Sequence, residues 1–524
     1  MEIESKSSQF WKELKYFFQI NIIQFGIEFD LQLRMSTLLY IALRTQLENG
    51  ELIEGRVSLF VDVLFCPILS IIVGLVSGAL SDFWPSKIGR RRSFMVYGII
   101  FYIIGGIFPL IMGIYPVSVL YNNVERGQEI YFWIDIILYV LGCIFWTIGN
   151  NTISVMYRSY LLEEFDTVYQ NRVNLVKTFM TGMVWIVAFL FMFVCSLIIE
   201  GYCDSHSTSN EEKNTMIRHY QTVLYYILNF TSVVFLVLGT IIFYKVSEET
   251  PFQPSHLLNV PKTKKECFKK CLPNIKEGFK AINIPIISIF IVVLFGWCTV
   301  NIFQKKEREM NRKYLYPGEE LLNERILAHT LSMVINGFCL IISSTILYIT
   351  NIRLDISTIV SFILYALASI CYYFIQAQEE NLTEKGDLIR NFFLTLIPGI
   401  FSTVTYCHLN SFPYSLMRDK VPKERYGVMM GIMTLFINGG LICTYLIYTM
   451  ADGMKLFQMD SSENTEIQWN YYIVIPPMCV LATIVSILFF YIPKIRVDVG
   501  YYIPENELES TNDYFMLQND EIKN

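Results

Sequence analysis

Residues 74–94 read GLVSGALSDFWPSKIGRRRSF, and this stretch decides the fold of the chain. An apolar run ends at Asp82, and a second apolar run begins after Arg92. Four cations lie within the last six residues of the connection: Lys87, Arg90, Arg91 and Arg92. Because positive charge concentrates in the short inner connections between membrane helices, this pattern predicts two consecutive membrane spans joined on the inner side.

The composition of the whole chain indicates a membrane protein with many spans. Of its 524 residues, 53% are hydrophobic and only 17% are charged, whereas a soluble domain carries about 25% charged residues. A membrane-spanning helix needs about 20 predominantly apolar residues. The sequence therefore predicts an all-α membrane protein with twelve transmembrane helices, at residues 18–42, 58–81, 93–115, 131–157, 174–200, 221–245, 284–303, 328–350, 356–376, 391–417, 426–448 and 470–492.

The distribution of Lys and Arg predicts which side each loop faces. With both termini inside, 25 of the 41 Lys and Arg residues fall in inner segments and 14 in outer ones. We therefore expect both termini in the cytoplasm. The longest interior polar stretch separates the spans into two groups of six. The predicted units are a cytoplasmic tail at 1–17, a six-helix half at 18–245, a cytoplasmic central loop at 246–283, a second six-helix half at 284–492 and a cytoplasmic tail at 493–524.

Two features of the sequence bear on this organisation. The Lys-rich second part of the central loop predicts either a basic helix on the anionic inner leaflet or a solvated linker. Residues 150–164, NNTISVMYRSYLLEE, and 407–421, CHLNSFPYSLMRDKV, each contain Asn, then Tyr and Ser, then an acid at the inner end of a span. This echo indicates two related halves, the arrangement of carriers that work by alternating access around a central site.

The first predicted span contains several polar and charged residues, which are costly in a membrane and therefore candidates for function. At about 100° per residue, Gln24, Glu28 and Gln32 share one face of the helix. Asp30 and Arg34 share another face and are spaced to neutralise each other. We expect Gln24, Glu28 and Gln32 to bind the hydroxyl groups of a solute.

Span 4 supplies a second set of candidate binding residues, Asn150, Asn151 and Arg158. The guanidinium fork of Arg158 suits two solute hydroxyls, or a carboxylate that changes partner as a carrier turns. Lys177, at the start of span 5, is expected to extend to the inner surface. The lone His408 in span 10 is expected to be an interior residue with its hydrogen bonds satisfied.

The sequence contains no residues arranged for enzymatic chemistry. No pair of His or Cys residues has metal-ligand spacing, and neither a nucleophile motif nor a phosphate-binding Walker loop is present. The net charge of -6 says little about nucleic acid, but no basic domain stands out, and no nucleic-acid partner is expected. We expect no enzymatic activity, no cofactor and no metal, and the expected partners are a small solute and the lipid bilayer.

The connection at 74–94 resembles that of one family. Six residues, FWPSKI, separate Asp82 from Gly89, with CPILSIIVGLVSGALSD before and GRRRSF after. This long form resembles the sucrose-transporter and proton-associated sugar-transporter group (glycoside-pentoside-hexuronide:cation symporter-like) of the major facilitator superfamily. The segments GIEF at 26–29, NNT at 150–152 and GVMMGIM at 427–433 agree with it.

The resemblance implies the major facilitator fold, with two pseudo-symmetric six-helix halves, and proton-coupled transport of a disaccharide or glucoside. It further implies an inner gate that opens and closes the cytoplasmic side. The inner gate residues would be Gly78, Asp82, Gly89, Arg90, Arg91 and Arg92.

At three positions the sequence differs from the family pattern, and these differences leave open whether transport is coupled to protons. Ser93 stands where the family has proline, Thr147 where it tends to have aspartate, and span 7 lacks its acidic pair. If a proton is coupled, its carrier is expected among Glu28, Asp30, Asp62 and Glu163. The alternatives are an uncoupled sugar facilitator and, less favoured because the tails are short, a carrier-derived sensor. The expected location is the plasma membrane or an endolysosomal or vacuolar membrane, with Asn381 as an outer glycosylation acceptor.

Overall fold

The computed structural model describes residues 6–44, 64–114, 128–207, 209–247, 249, 263–310, 322–350, 352–374, 385–418, 420–453 and 475–491. These residues form helices and short connections, and no strand occurs among them. The α-helices are α1 Lys6–Arg44, α2 Cys66–Ser81, α3 Arg90–Ile114, α4 Gln128–Glu164, α5 Thr167–His206, α6 Asn210–Val246, α7 Lys264–Lys280, α8 Ile284–Met310, α9 Leu322–Thr350, α10 Leu354–Ser369, α11 Lys385–Leu409, α12 Phe412–Met417, α13 Tyr426–Gly453 and α14 Ile475–Tyr491.

Each of the twelve predicted spans overlaps a helix, so the all-α prediction is confirmed. Within the described residues, seven helices contain a stretch long and apolar enough to cross a membrane, and α2, α6 and α14 contribute shorter apolar stretches. Large apolar side chains such as Ile198, Leu367 and Leu488 are more than half exposed. Because exposed apolar surface of this extent is unfavourable in water, these faces belong against lipid.

The helices pack within each half and make two long contacts between the halves. In the first half α3 packs along α4 and α1 along α6, and in the second half α8 packs along α13 and α10 along α14. Between the halves α2 packs along α13, and α5 along α9. Each of these two pairs joins the second span of one half to the fifth span of the other, as expected for halves related by a pseudo-two-fold axis.

The basic part of the central loop forms α7, which contacts both halves. The Thr263 hydroxyl accepts a hydrogen bond from the Glu266 amide and so begins the helix. Asn274 Nδ2 donates to the carbonyl of Ala79 in α2 at 2.9 Å. On the same helix Gly278 lies against α13. The helix therefore bridges α2 and α13 at the inner end of the bundle.

The tenth predicted span, 391–417, is interrupted in the structure. Helix α11 ends at Leu409, and the short α12 begins at Phe412. Pro413 has no amide hydrogen to continue the helical ladder, and the Ser411 hydroxyl donates to the Cys407 carbonyl at 3.0 Å. Tyr414 lies just after this break, in the first turn of α12.

Candidate functional site

The residues predicted to form the inner gate lie around a buried ion pair. Asp82 and Arg91 both have fully buried side chains, and Arg91 Nη2 donates to Asp82 Oδ1 at 2.7 Å. Arg91 also donates to Ser81 and Glu163. A buried pair is stable only when its remaining hydrogen-bonding groups are satisfied, and these contacts satisfy them.

The carboxylate of Asp82 also joins one half to the other. The Gly427 amide donates to Asp82 Oδ1 at 2.9 Å, and the Val428 amide donates to Asp82 Oδ2 at 3.0 Å. These amides belong to the first turn of α13, where backbone donors lack helical partners and favour an anion. Asp82, at the end of α2, therefore caps a helix of the opposite half.

Glycines allow α2 and α13 to approach closely enough for this cap. A Cβ on Gly78 would lie 2.2 Å from the Gly427 carbonyl oxygen, and a Cβ on Gly427 would lie 2.5 Å from Asp82 Oδ1. Gly89, with φ of +97°, turns the chain before α3, where any side chain would collide with Glu249. The prediction that Gly78 and Gly89 belong to the gate agrees with these contacts.

Glu163, at the end of α4, is bound within this gate. Arg90 Nη2 lies 2.9 Å from Glu163 Oε1, and Arg91 Nε donates to the same oxygen at 3.1 Å. Arg90 Nη1 also donates to the Asp82 carbonyl at 2.9 Å. The contacts of Glu163 are those of a gate residue and lie away from the central polar residues.

Glu249, which the sequence analysis did not select, completes the charged cluster. Its Oε1 accepts from the Arg91 amide at 2.9 Å, so this carboxylate caps the start of α3. Burial raises the pKa of the Glu249 carboxyl, although the hydrogen bond from the Arg91 amide lowers it. Arg92 donates to the Ser247 hydroxyl at 3.3 Å, and its guanidinium lies 4.9 Å from the centroid of the Tyr244 ring.

A second contact between the halves joins the ends of α4 and α12. Arg418 Nε donates to the Phe165 carbonyl at 2.8 Å, and Arg418 Nη2 lies 3.3 Å from Asp166 Oδ1. The Tyr426 hydroxyl donates to the Arg418 carbonyl at 2.9 Å. The similar segments 150–164 and 407–421 end beside the residues that make this contact. Their similarity was therefore the sequence feature from which the contact could have been predicted.

Glu28, on α1 of the first half, is buried and contacts a residue of the opposite half. Glu28 is 5% exposed, and its Oε1 accepts from Gln24 Nε2 at 2.8 Å and from the Tyr406 hydroxyl at 3.3 Å. Gln24 and Glu28 thus share a face, as the sequence analysis expected. The side chains of Asp30 and Gln32 lie outside the described residues.

Aromatic rings surround the Tyr406 side chain. The centroid of the Trp185 ring lies 5.6 Å from that of Tyr406, and the centroid of the Trp297 ring lies 5.5 Å from it. The indole nitrogens of Trp185 and Trp297 are buried without a hydrogen-bond partner among the described residues. Such rings offer an apolar face for stacking and a polar edge for a hydroxyl group.

Two cations meet at Tyr414, beside this aromatic group. The Lys177 Nζ lies 4.3 Å from the centroid of the Tyr414 ring, and the Arg158 guanidinium carbon lies 5.3 Å from it. Lys177 is 1% exposed, so the expectation that it extends to the inner surface is wrong. It lies ten residues into α5, about 15 Å along the helix axis from Thr167, and is too deep to reach the surface.

The remaining predicted residues of span 4 have separate positions. Asn151 Nδ2 donates to the Ser70 hydroxyl at 2.9 Å and so joins α4 to α2. Asn150 Oδ1 and the Thr147 hydroxyl are buried without a hydrogen-bond partner among the described residues. Asn151 therefore has a packing contact, whereas Asn150 keeps an acceptor available.

The histidine of span 10 is buried, as the sequence analysis expected. His408 Nδ1 lies 2.9 Å from the Val404 carbonyl oxygen. Its Nε2 is buried without a hydrogen-bond partner in the part of the chain that the structure describes. The expectation of satisfied hydrogen bonds therefore holds for one ring nitrogen and is wrong for the other.

Two predicted residues, Asp62 and Asn381, lie outside the described residues. Within the described ranges, no group of three or more His, Cys, Asp or Glu side chains is arranged to hold a metal ion.

No family model and no curated protein matches the sequence of this chain. Solved structures do match its fold. The E. coli fucose:proton symporter FucP aligns with a TM-score of 0.55 and 10% identity, over 91% of this chain and 98% of its own. The proton:xylose symporter XylE, bound to 6-bromo-6-deoxy-D-glucose, aligns with a TM-score of 0.53 and 13% identity, over 91% of this chain and 95% of its own. A bacterial homologue of the iron transporter ferroportin, in an outward-facing state, aligns with a TM-score of 0.56 and 14% identity, over 90% of this chain and 99% of its own.

The fold and these contacts define a multi-pass membrane protein of two helical halves that meet at a polar cluster around Asp82 and Arg91. The three similar structures are major facilitator superfamily transporters, and they are matched over nearly their whole length. This chain has the major facilitator fold.

Proposed function

We propose that this protein is a secondary transporter that moves a sugar or glycoside, with a sucrose-like disaccharide as the favoured substrate, by alternating access. The observation that carries the proposal is the cap that Asp82 forms on α13 across the two halves. The cap consists of hydrogen bonds and one ion pair, so it can break and reform as the halves rock about a central site. It closes the inner side of the bundle while it is intact.

The central residues supply the contacts that a sugar requires. The amide and carboxylate groups of Gln24, Glu28 and Asn150 are suited to hydroxyl groups, and Trp185 and Trp297 offer faces for the sugar ring. Two of the similar structures are sugar:proton symporters by name, which favours a sugar substrate here.

A proton gradient is the favoured energy source for transport, and Glu28 is the favoured proton carrier. Glu28 is a buried carboxylate whose hydrogen bonds reach both halves, so its protonation would alter a contact between them. The second candidate is an uncoupled facilitator, favoured by the neutral Thr147 at a position where the family tends to have an acid. Both versions have cytoplasmic termini and the gate on the cytoplasmic side, in the plasma membrane or an endolysosomal or vacuolar membrane.

The test is uptake of radiolabelled sucrose, maltose and glucose into proteoliposomes, with and without an inward proton gradient. Symport predicts accumulation of one of these sugars that collapses when a protonophore is added. A facilitator predicts equilibration that the protonophore does not change. Uptake of none of these sugars under either condition would contradict the proposed substrate.

A further inference from the structure

Two basic side chains, Lys177 and Arg158, lie close together among the described residues inside the bundle. The charged groups that act on the Lys177 ammonium are the guanidinium of Arg158 and the carboxylate of Glu28. Arg158 and Lys177 both lie against the ring of Tyr414. Among the described side chains, two basic groups thus lie near one carboxylate in a region where charges are poorly solvated.

The Lys177 ammonium is the least satisfied of these groups. Its Nζ is buried and has no hydrogen-bond partner among the described residues, and its nearest recorded contact is the face of Tyr414. A cation–π contact offsets only part of the free-energy cost of burying an ion. The ring alone therefore does not offset the burial of the charge.

The carboxylate of Glu28 acts on Lys177 only through space. Lys177 Nζ donates to no oxygen in the part of the chain that the structure describes, and that includes both oxygens of Glu28. An external anion would supply the missing acceptor. An arginine fork and a lysine ammonium beside each other are suited to a carboxylate or a phosphate group.

We propose that the substrate carries a negative charge, and that its carboxylate or phosphate group binds between Lys177 and Arg158. The body of the solute then lies against Trp185, Trp297 and Tyr406. This inference rests on the proposed transport function and narrows its substrate class from a neutral sugar to a sugar acid or sugar phosphate.

The experiment measures binding to the purified full-length protein by scintillation proximity. The probes are radiolabelled glucuronate, glucose 6-phosphate and the neutral glucose and sucrose. We expect one of the two anions to bind at least about ten-fold more tightly than glucose. The two anions distinguish a carboxylate site from a phosphate site.

Two lysine variants test the placement. Lys177→Met keeps the length of the side chain and removes its charge, and it should weaken binding of the preferred anion by about ten-fold or more while changing glucose affinity by less than about two-fold. Lys245→Met removes an exposed lysine at the end of α6 and should change neither. Lys177→Arg, which retains the charge, should retain the preference for the anion. If Lys177→Met does not fold, Arg158→Gln replaces it with the same expectation.

The outcomes separate this inference from the proposed function. If glucose or sucrose binds as tightly as both anions, the inference is wrong and sugar transport stands. Equal weakening of anionic and neutral probes in Lys177→Met also overturns it, since that result indicates a purely structural lysine. If none of the four probes binds or crosses the membrane, the proposed function fails as well.

Discussion

Two buried carboxylates differ in their hydrogen-bond donors, and we propose different tasks for them. Asp82 accepts from a guanidinium and from the Gly427 and Val428 amides, all of which favour the ionised form. Glu28 accepts from an amide and a hydroxyl, which are neutral donors. Burial raises the pKa of the Asp82 carboxyl, although Arg91, Arg90 and the Val428 amide lower it. We propose Asp82 as the carboxylate that joins the two halves, and Glu28 as the carboxylate that carries a coupled proton.

Replacing Glu28 with glutamine should separate sugar exchange from proton coupling. In Glu28→Gln the side chain keeps its size and an accepting oxygen but cannot take up a proton. We expect counterflow of the transported sugar to stay within about two-fold of wild type, while accumulation driven by a proton gradient falls at least about ten-fold. The control is Glu277→Gln, which removes an exposed carboxylate at the end of α7. Gradient-driven accumulation that persists in Glu28→Gln would exclude Glu28 as the proton carrier.

At the scale of helices, α2 and α13 approach closely because the residues at their contact are glycines, which have no side chains. The backbone of α2 at Gly78 lies against the backbone of α13 at Gly427, and no flexible group lies between them that could give way. In the proposed mechanism, closing the gate therefore requires these two helices to pack against each other.

A methyl group at Gly78 should hold the inner gate open. Its Cβ would lie 2.2 Å from the Gly427 oxygen, and relieving such overpacking costs about 1–3 kcal/mol. Separating the halves relieves the collision, so Gly78→Ala should favour the open gate and lower transport by roughly ten-fold. Gly201→Ala is the matched control, because a Cβ there meets no atom within 4 Å. Equal transport by the two alanine variants would show that the close approach does not govern gating.

The sequence predicted the helices well because each span is encoded locally by its apolar run. It also predicted that Gln24 and Glu28 share a face, and that Asp82 acts with the arginines that follow it. It did not predict that Tyr406 reaches Glu28 or that the α13 amides reach Asp82. These partners lie hundreds of residues away in the chain, and helical periodicity carries no information about which helices meet. Lys177 was misplaced for a related reason, since depth in the bundle depends on neighbouring helices.

At the scale of the whole molecule, three of the contacts that the described residues make between the two halves lie at the end of the bundle that holds Asp82. These are the cap of Asp82 on α13, the bonds of Arg418 to the end of α4, and α7 lying across α2 and α13. Each contact has one partner in each half. In the proposed rocking of one half against the other, we expect these three contacts to break together.

The most direct test of this account is the distance across the inner gate, measured by double electron–electron resonance. Spin labels on unnatural amino acids at Lys87 and Glu424, both exposed, report on the two halves and leave the twelve native cysteines in place. Breaking a buried ion pair costs about 3–5 kcal/mol. Asp82→Asn should therefore lower the short-distance, closed-gate population by at least about ten-fold relative to the open one.

The control for this measurement is Asp204→Asn, which removes a carboxylate from an exposed ion pair with Lys213 at the far end of α5. Its distance distribution should match that of wild type. The account predicts a new, longer-distance population in Asp82→Asn alone. A distribution identical to wild type in Asp82→Asn would contradict the claim that this carboxylate holds the inner gate closed.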